Sequence, residues 1–165
     1  MTPPIAPGGG LNFAQHLIAL NAERGSKTAP IDDGGALSYA QLAERIQRMA
    51  AGLKAYGLRR EDRVLLLMHD SADWVVGFLG ALYAGVVPVA LNTLLTAEDY
   101  AYMLANSRAQ GALVGGALLP ALQAAMAQAP GHEIHTLIVS KPGVENAQAA
   151  IELEAFLAAQ RPQTA

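Results

Sequence analysis

The chain has 165 residues, of which 52% are hydrophobic and 15% charged, and its formal net charge is −3. This composition excludes an intrinsically disordered protein, and the length suffices for one domain with a hydrophobic core. The 11 basic side chains are scattered, which argues against a nucleic-acid surface. Because cysteine is absent, a disulfide framework and a thiolate metal site are excluded, and a cytoplasmic protein is the simplest interpretation.

Residues 1–10 are predicted to form a flexible tail, followed by a single domain over residues 11–165. Three prolines precede Gly8–Gly10, and neither residue type sustains a helix or a strand ladder. The tail has neither the basic start nor the apolar run of a secretory signal.

A first helix is predicted over residues 11–22. Phe13, Leu17 and Leu20 recur at spacings of three and four residues, which places them on one face of the helix. Asn12 is a suitable N-cap, because its side chain can accept a backbone N–H of the first turn.

The second helix has the clearest signals. Residues 32–35 (DDGG) predict a turn between two short extended segments. Ser38 and Gln41 have capping-box spacing, and Gly57 is placed to end the helix in a left-handed conformation. Its apolar positions share one stripe, which we expect to be buried: Tyr39, Leu42, Ile46, Met49 and Leu53.

Residues 63–69 are predicted to form a strand buried on both faces. Positions 64–68 (VLLLM) show no polar alternation, which is typical of a parallel strand between helix layers. Asp70 or Ser71 then caps a helix. Its core positions lie at four-residue steps: Trp74, Phe78 and Leu82.

Residues 74–97 carry no charge and are numerous enough to span a bilayer. Three glycines and Pro88 interrupt this run, and a proline past the midpoint would kink a continuous helix. We therefore predict a helix ending at Gly85 and a buried strand over residues 86–91, rather than a membrane segment.

The remaining sequence continues the alternation of helices and strands. Thr96 and Asp99 have capping-box spacing, and the helix after them carries Tyr100, Met103 and Leu104. Strands are predicted over 112–114 and 136–140, and helices over 118–129 and 151–159. Four strand–helix alternations predict an α/β fold with an open, mostly parallel sheet and helices on both faces.

No pattern in the sequence predicts a catalytic residue. Gly115 and Gly116 follow a strand, but the third glycine of a dinucleotide fingerprint is missing and a tight turn explains them equally well. His69 and Asp70 are neighbours along a strand, so their side chains point to opposite faces. No serine lies in a G-x-S-x-G elbow.

No metal site is predicted either. His132 and His135 have a spacing that zinc ligands can have, but no second cluster completes a site, and a solvated loop is the better interpretation. Glu152 and Glu154 are likewise assigned to a solvated face.

Four segments resemble the adenylate-forming enzymes. Residues 37–42 (LSYAQL) and 82–89 (LYAGVVPV) resemble segments shared across that superfamily. Residues 92–104 (NTLLTAEDYAYML) and 63–68 (RVLLLM) resemble its benzoate–CoA ligase branch. The resemblance extends over about residues 11–140 and implies the N-terminal subdomain of that fold.

The resemblance implies an AMP-forming aromatic acid–CoA ligase that uses ATP, Mg and CoA. An aromatic carboxylate and Mg-ATP give an acyl-adenylate and pyrophosphate, and the CoA thiol then displaces AMP. Adenylation is needed because a carboxylate oxygen is a poor leaving group, whereas AMP is a good one.

Family members hold ATP with a lysine in a Ser/Thr/Gly-rich loop and with a second lysine on a mobile C-terminal domain. The lysines of this chain, Lys27, Lys54 and Lys141, are not in such a loop. We therefore interpret residues 11–165 as an incomplete portion of a larger N-terminal domain. Alone, it is expected to bind no cofactor, to be inactive, and to need the remainder of the ligase as partner.

Three expectations complete this interpretation. In some relatives the segment matching residues 92–94 lies near the CoA tunnel with a cationic side chain. Because Leu94 is apolar, we carry a CoA-side role over only to Asn92 and Thr93.

Apolar faces that would meet the rest of the ligase predict self-association. The alternative is a stand-alone, non-catalytic α/β binding or regulatory module.

Overall fold

The computed structural model describes residues 10–143 and 150–163. Apart from the exposed Gly10, the predicted tail therefore lies outside the described residues. The helices of the described part are α1 (Phe13–Leu20), α2 (Tyr39–Ala55), α3 (Ala72–Ala84), α4 (Ala97–Ser107), α5 (Leu119–Gln128) and α6 (Leu153–Ala158). The strands are β1 (Thr28–Asp32), β2 (Gly35–Ser38), β3 (Arg63–Leu67), β4 (Val87–Ala90), β5 (Gly111–Gly115), β6 (Thr136–Ser140) and β7 (Ile151–Glu152).

Five strands form one parallel sheet in the order β4-β3-β5-β6-β7, and β1 and β2 form a separate antiparallel hairpin. The predicted α/β fold is confirmed. The chain passes from β3 to β4 on one side and then returns past β3 to β5 on the other. The carboxyl ends of β3 and β5 therefore form a topological switch point, which is where ligands of doubly wound sheets commonly bind.

The sheet is covered on both faces, as the unbroken apolar run of β3 predicted. Val64 and Leu66 face a core built with α2, α3 and α6. Leu65 and Leu67 face a second core built with α4 and α5. All four side chains are buried.

Helix α2 confirms its sequence signals. The Ser38 hydroxyl accepts the Gln41 N–H at 3.2 Å, and the Gln41 side chain accepts the Ser38 N–H at 2.8 Å, which completes the capping box. Four of the five stripe residues are buried and Tyr39 is half-buried. Gly57, with φ +91°, follows the end of the helix in the left-handed region.

The apolar face of α1 is only partly buried. Phe13 and Leu20 are 54% and 50% exposed, and the buried residue is Ala14. Asn12 is the N-cap as predicted, but its amide also donates to the Leu82 carbonyl at 2.8 Å. This contact fixes α1 at the end of α3, and the small Ala14 side chain allows the close approach.

Two predictions near the sheet edges also need correction. The strand predicted over residues 86–91 was expected to be buried, but β4 is an edge strand whose Val87 and Ala90 are exposed. The segment predicted as a helix over residues 151–159 begins with the short strand β7, and α6 starts only at Leu153.

The uncharged run over residues 74–97 divides as predicted into a helix and a strand. Helix α3 ends at Ala84, and Gly85, with φ +80°, turns the chain into β4. Within the described ranges, no helix combines the length and the apolarity that crossing a bilayer requires.

Candidate functional site at the carboxyl edge of the sheet

The carboxyl ends of the parallel strands meet at one edge, where two crevices lie on either side of the loop after β3. The crevice between β3 and β4 has a volume of about 440 Å³. The crevice at the switch point has a volume of about 280 Å³ and reaches the end of β6. These crevices are the places where the fold favours a ligand.

Asn92 and Thr93 line the crevice between β3 and β4 together with His69, Asp70 and Trp74. The Asn92 side chain accepts the Leu94 N–H at 2.9 Å, which makes a tight turn. Trp74 also lines this crevice, which the sequence does not indicate, because the four-residue spacing of Trp74 and Phe78 predicts only a core position. Its ring stacks on Phe78 with centroids 5.0 Å apart.

Tyr100 of α4 stabilises this turn by two hydrogen bonds. Its buried hydroxyl donates to the Asn92 carbonyl at 2.7 Å and accepts the Leu95 N–H at 3.3 Å. Leu94, between them, is 88% exposed. The structure thus brings both CoA-side candidates to one crevice wall, and their binding role stays a prediction.

The loop after β3 contains the His69–Asp70 pair. Both side chains are exposed, and Ser71, rather than Asp70, caps α3 by accepting the Trp74 N–H at 3.1 Å. The interpretation that these neighbours are not an acid–base pair therefore stays a prediction.

Gly116 has a packing role at the switch point. A methyl group at this position would overlap the Lys141 carbonyl. The absence of a side chain therefore lets the loop after β5 lie against the loop after β6. This close approach is a packing reason for Gly116 only, because a methyl group at Gly115 would make no more than ordinary contacts.

An ionic cluster beside the switch point connects α2, α3, α6 and β6. The Arg45 guanidinium contacts Asp73 at 3.0 Å and also binds Glu154. The Ser140 hydroxyl donates to the other Asp73 oxygen at 2.6 Å. The hydrogen bond from Arg45 holds the pKa of Glu154 below its usual range, and the same contact raises the pKa of Arg45.

Glu154 is 60% exposed, as a solvated face implies, but both glutamates also make specific contacts. Glu154 binds Arg45, and Glu152 caps α6 by accepting the Ala155 N–H at 3.0 Å. The sequence carried no signal for the Arg45–Glu154 pair, because its members are 109 positions apart.

His132 and His135 precede β6 and therefore lie at the opposite edge of the sheet. The His132 Nδ1 atom accepts the Ile134 N–H at 3.2 Å, and the His135 Nδ1 atom is 2.9 Å from the Thr136 hydroxyl. In the part of the chain that the structure describes, no three His, Asp or Glu side chains are arranged to hold a metal ion.

The sequence profile of the AMP-binding enzymes matches residues 18–164. Because this match covers most of the chain, the chain belongs to the AMP-binding enzyme family. It is 42% identical to the benzoate–CoA ligase of Thauera aromatica over 143 residues, which is 85% of this chain and 27% of that protein. It is 39% identical to the 4-hydroxybenzoate–CoA/benzoate–CoA ligase of Rhodopseudomonas palustris over 65% of this chain and 20% of that protein.

Crystal structures of two CoA ligases also superpose on this chain. A benzoate CoA ligase from Burkholderia xenovorans LB400 superposes with a TM-score of 0.84 and 43% identity, over 93% of this chain and 29% of that one. An anthranilate CoA ligase solved in complex with anthranoyl-AMP also has a TM-score of 0.84, at 26% identity over 92% of this chain and 29% of that one. The chain thus spans between a fifth and three tenths of the length of these relatives.

Proposed function

We propose that this chain is the N-terminal α/β portion of an AMP-forming aromatic acid–CoA ligase that acts on benzoate or a close derivative. The observation that carries the proposal is the 42% identity to a benzoate–CoA ligase over 85% of the chain. Its substrates would be the aromatic acid, ATP with Mg, and CoA, and a cytoplasmic location fits them.

We infer that the described residues do not by themselves form a site for the triphosphate of ATP. Such a site needs an available lysine among converging backbone N–H groups. Lys27 lies in the turn before β1, and Lys54 lies in the last turn of α2. Lys141 is at the carboxyl edge, but its Nζ atom is 4.0 Å from the Asp32 carboxylate.

We therefore assign no catalytic step to this chain. It would supply part of the N-terminal domain of the enzyme. The groups that hold ATP and the aryl ring would belong to polypeptide outside residues 1–165. Asn92 and Thr93 remain the candidates for contact with CoA, because they line an open crevice of about 440 Å³.

The test is ATP–pyrophosphate exchange with benzoate. The 165-residue chain should show no exchange above background, whereas the same residues joined to the remaining portion of the ligase should exchange label in the presence of benzoate. Exchange by the short chain would place the ATP site inside these residues. If the extended protein is also inactive with benzoate and its hydroxy and amino derivatives, a non-catalytic binding module becomes the better explanation.

A further inference from the structure

Strand β4 lies at one end of the five-stranded sheet, and in the described part of the chain it pairs only with β3. The unpaired edge of a strand presents backbone N–H and C=O groups, which are a template for the addition of a strand from another molecule. The N–H groups that β4 directs to this edge therefore decide whether such a strand can bind.

The pairing with β3 determines which residues of β4 face the unpaired edge. The N–H groups of Val87 and Leu91 donate to carbonyls on the β3 side at 2.8 and 3.0 Å. Because the backbone groups of successive residues point to opposite sides of a strand, the Val89 N–H also faces β3. The backbones of Pro88 and Ala90 therefore face the unpaired edge.

Proline occupies the first of these two outward positions. It has no backbone N–H, so Pro88 cannot donate a hydrogen bond to an added strand. The N–H of Val86, which precedes the strand, already donates to the Ala81 carbonyl of α3 at 2.9 Å. Within β4, only the exposed Ala90 directs an N–H away from β3.

We propose that Pro88 closes the β4 edge to strand addition, so that another molecule, including a second copy of this chain, does not extend the sheet there. The Val87 side chain is 39% exposed, and copies of the chain can still meet at this edge through apolar side chains. A partner that fits this edge therefore packs against it by side chains and adds no strand. This inference does not depend on the proposed function.

The test compares P88A with P120A. Each variant replaces a proline by alanine, which adds one N–H and the same freedom to the unfolded chain. Pro120 is exposed in the first turn of α5, so its N–H would not lie on the sheet edge. Sedimentation equilibrium over a range of protein concentrations gives the dissociation constant of self-association for each variant and for the unchanged chain.

P88A should lower this dissociation constant about tenfold, which is the effect of one added hydrogen bond. P120A should match the unchanged chain. The double variant P88A/A90P moves the proline to the other outward position, so it should restore the value of the unchanged chain. Equal dissociation constants for P88A and P120A would overturn the proposal.

Hydrogen exchange gives a second readout, which needs no variant. In the unchanged chain, the exchange rate of the Ala90 amide should not depend on protein concentration, even where the chain associates. In P88A the same amide should exchange more slowly as the associated fraction rises. The Val89 amide, which faces β3, is the internal control and should be equally protected throughout. Protection of the Ala90 amide that grows with concentration in the unchanged chain would also contradict the proposal.

Discussion

Phe156 of α6 packs directly over Gly52 of α2, so closely that a methyl group at Gly52 would overlap the aromatic ring. Phe156 is buried, and its ring also contacts Tyr56 with centroids 5.3 Å apart. The absence of a side chain at Gly52 therefore makes room for the Phe156 ring and lets α6 pack closely on α2. This contact attaches the last described segment of the chain to the first long helix.

G52A should lower the free energy of unfolding by about 1–3 kcal/mol, although alanine favours a helix more than glycine does. The loss comes from displacement of the Phe156 ring. In an F156A background the same change should be neutral or stabilising, because the ring is gone. Urea denaturation of the unchanged chain, the two single variants and the double variant forms a double-mutant cycle. Equal effects of G52A in both backgrounds would contradict the packing of Phe156 on Gly52.

D73A should destabilise the chain by about 2–4 kcal/mol, because it leaves Arg45 and Ser140 without their shared partner in a largely buried position. Asp73 is 13% exposed, whereas Glu154 is 60% exposed. E154A should therefore lower stability by no more than about 1 kcal/mol. Chemical denaturation of both variants is the measurement, and a larger effect of E154A would show that the cluster is organised around α6 instead.

The pKa of Glu154 predicts how stability changes with acidity. Arg45 lowers this pKa in the folded chain from the usual value of 4.5. The unfolded state therefore binds a proton first as the pH falls, so the contribution is complete above the usual value and is lost through the lower, folded pKa. Urea midpoints should be flat from pH 7 to about 5 and fall below that. E154Q should reduce this fall, and an unchanged slope would argue against the ion pair.

Y100F tests how the turn at Asn92 and Thr93 is held. Loss of the hydroxyl leaves the Asn92 carbonyl and the Leu95 N–H without this partner, which should destabilise the chain by about 1–2 kcal/mol. Hydrogen exchange of residues 92–95 should accelerate. The control is Y102F, because the Tyr102 side chain is 68% exposed, and it should leave exchange unchanged. Equal protection in Y100F and the unchanged chain would mean that other contacts fix the turn.

Self-association is expected from the apolar side chains that the structure leaves exposed. Phe13, Ile31, Leu94 and Tyr102 are between 54% and 88% exposed, and β4 is an edge strand of the sheet that the described residues form. Light scattering should show a concentration-dependent dimer or larger species, whereas a monomer at every concentration would refute this expectation.

Local signals in the sequence were sufficient for most of the fold. The Ser38 capping box, the α2 stripe and the apolar run of β3 depend on neighbours a few residues apart, and the structure confirms them. Periodicity could not show that α1 turns Ala14 inward or that β4 is an edge strand, because both depend on which element lies alongside.

The candidate site was less predictable for the same reason. The contact from Asp32 to Ala72 joins residues 40 positions apart, so no window of sequence contains both. Asn92 and Thr93 are candidates only because of the resemblance to known ligases. The sequence does not show that the buried Tyr100 hydroxyl holds their turn by hydrogen bonds.

We propose that residues 1–165 do not hold a nucleoside triphosphate by themselves. Isothermal titration calorimetry of the chain with Mg-ATP tests this claim most directly. We predict no saturable heat at millimolar nucleotide, with or without benzoate. A saturable isotherm with a Kd in the micromolar range would contradict the account.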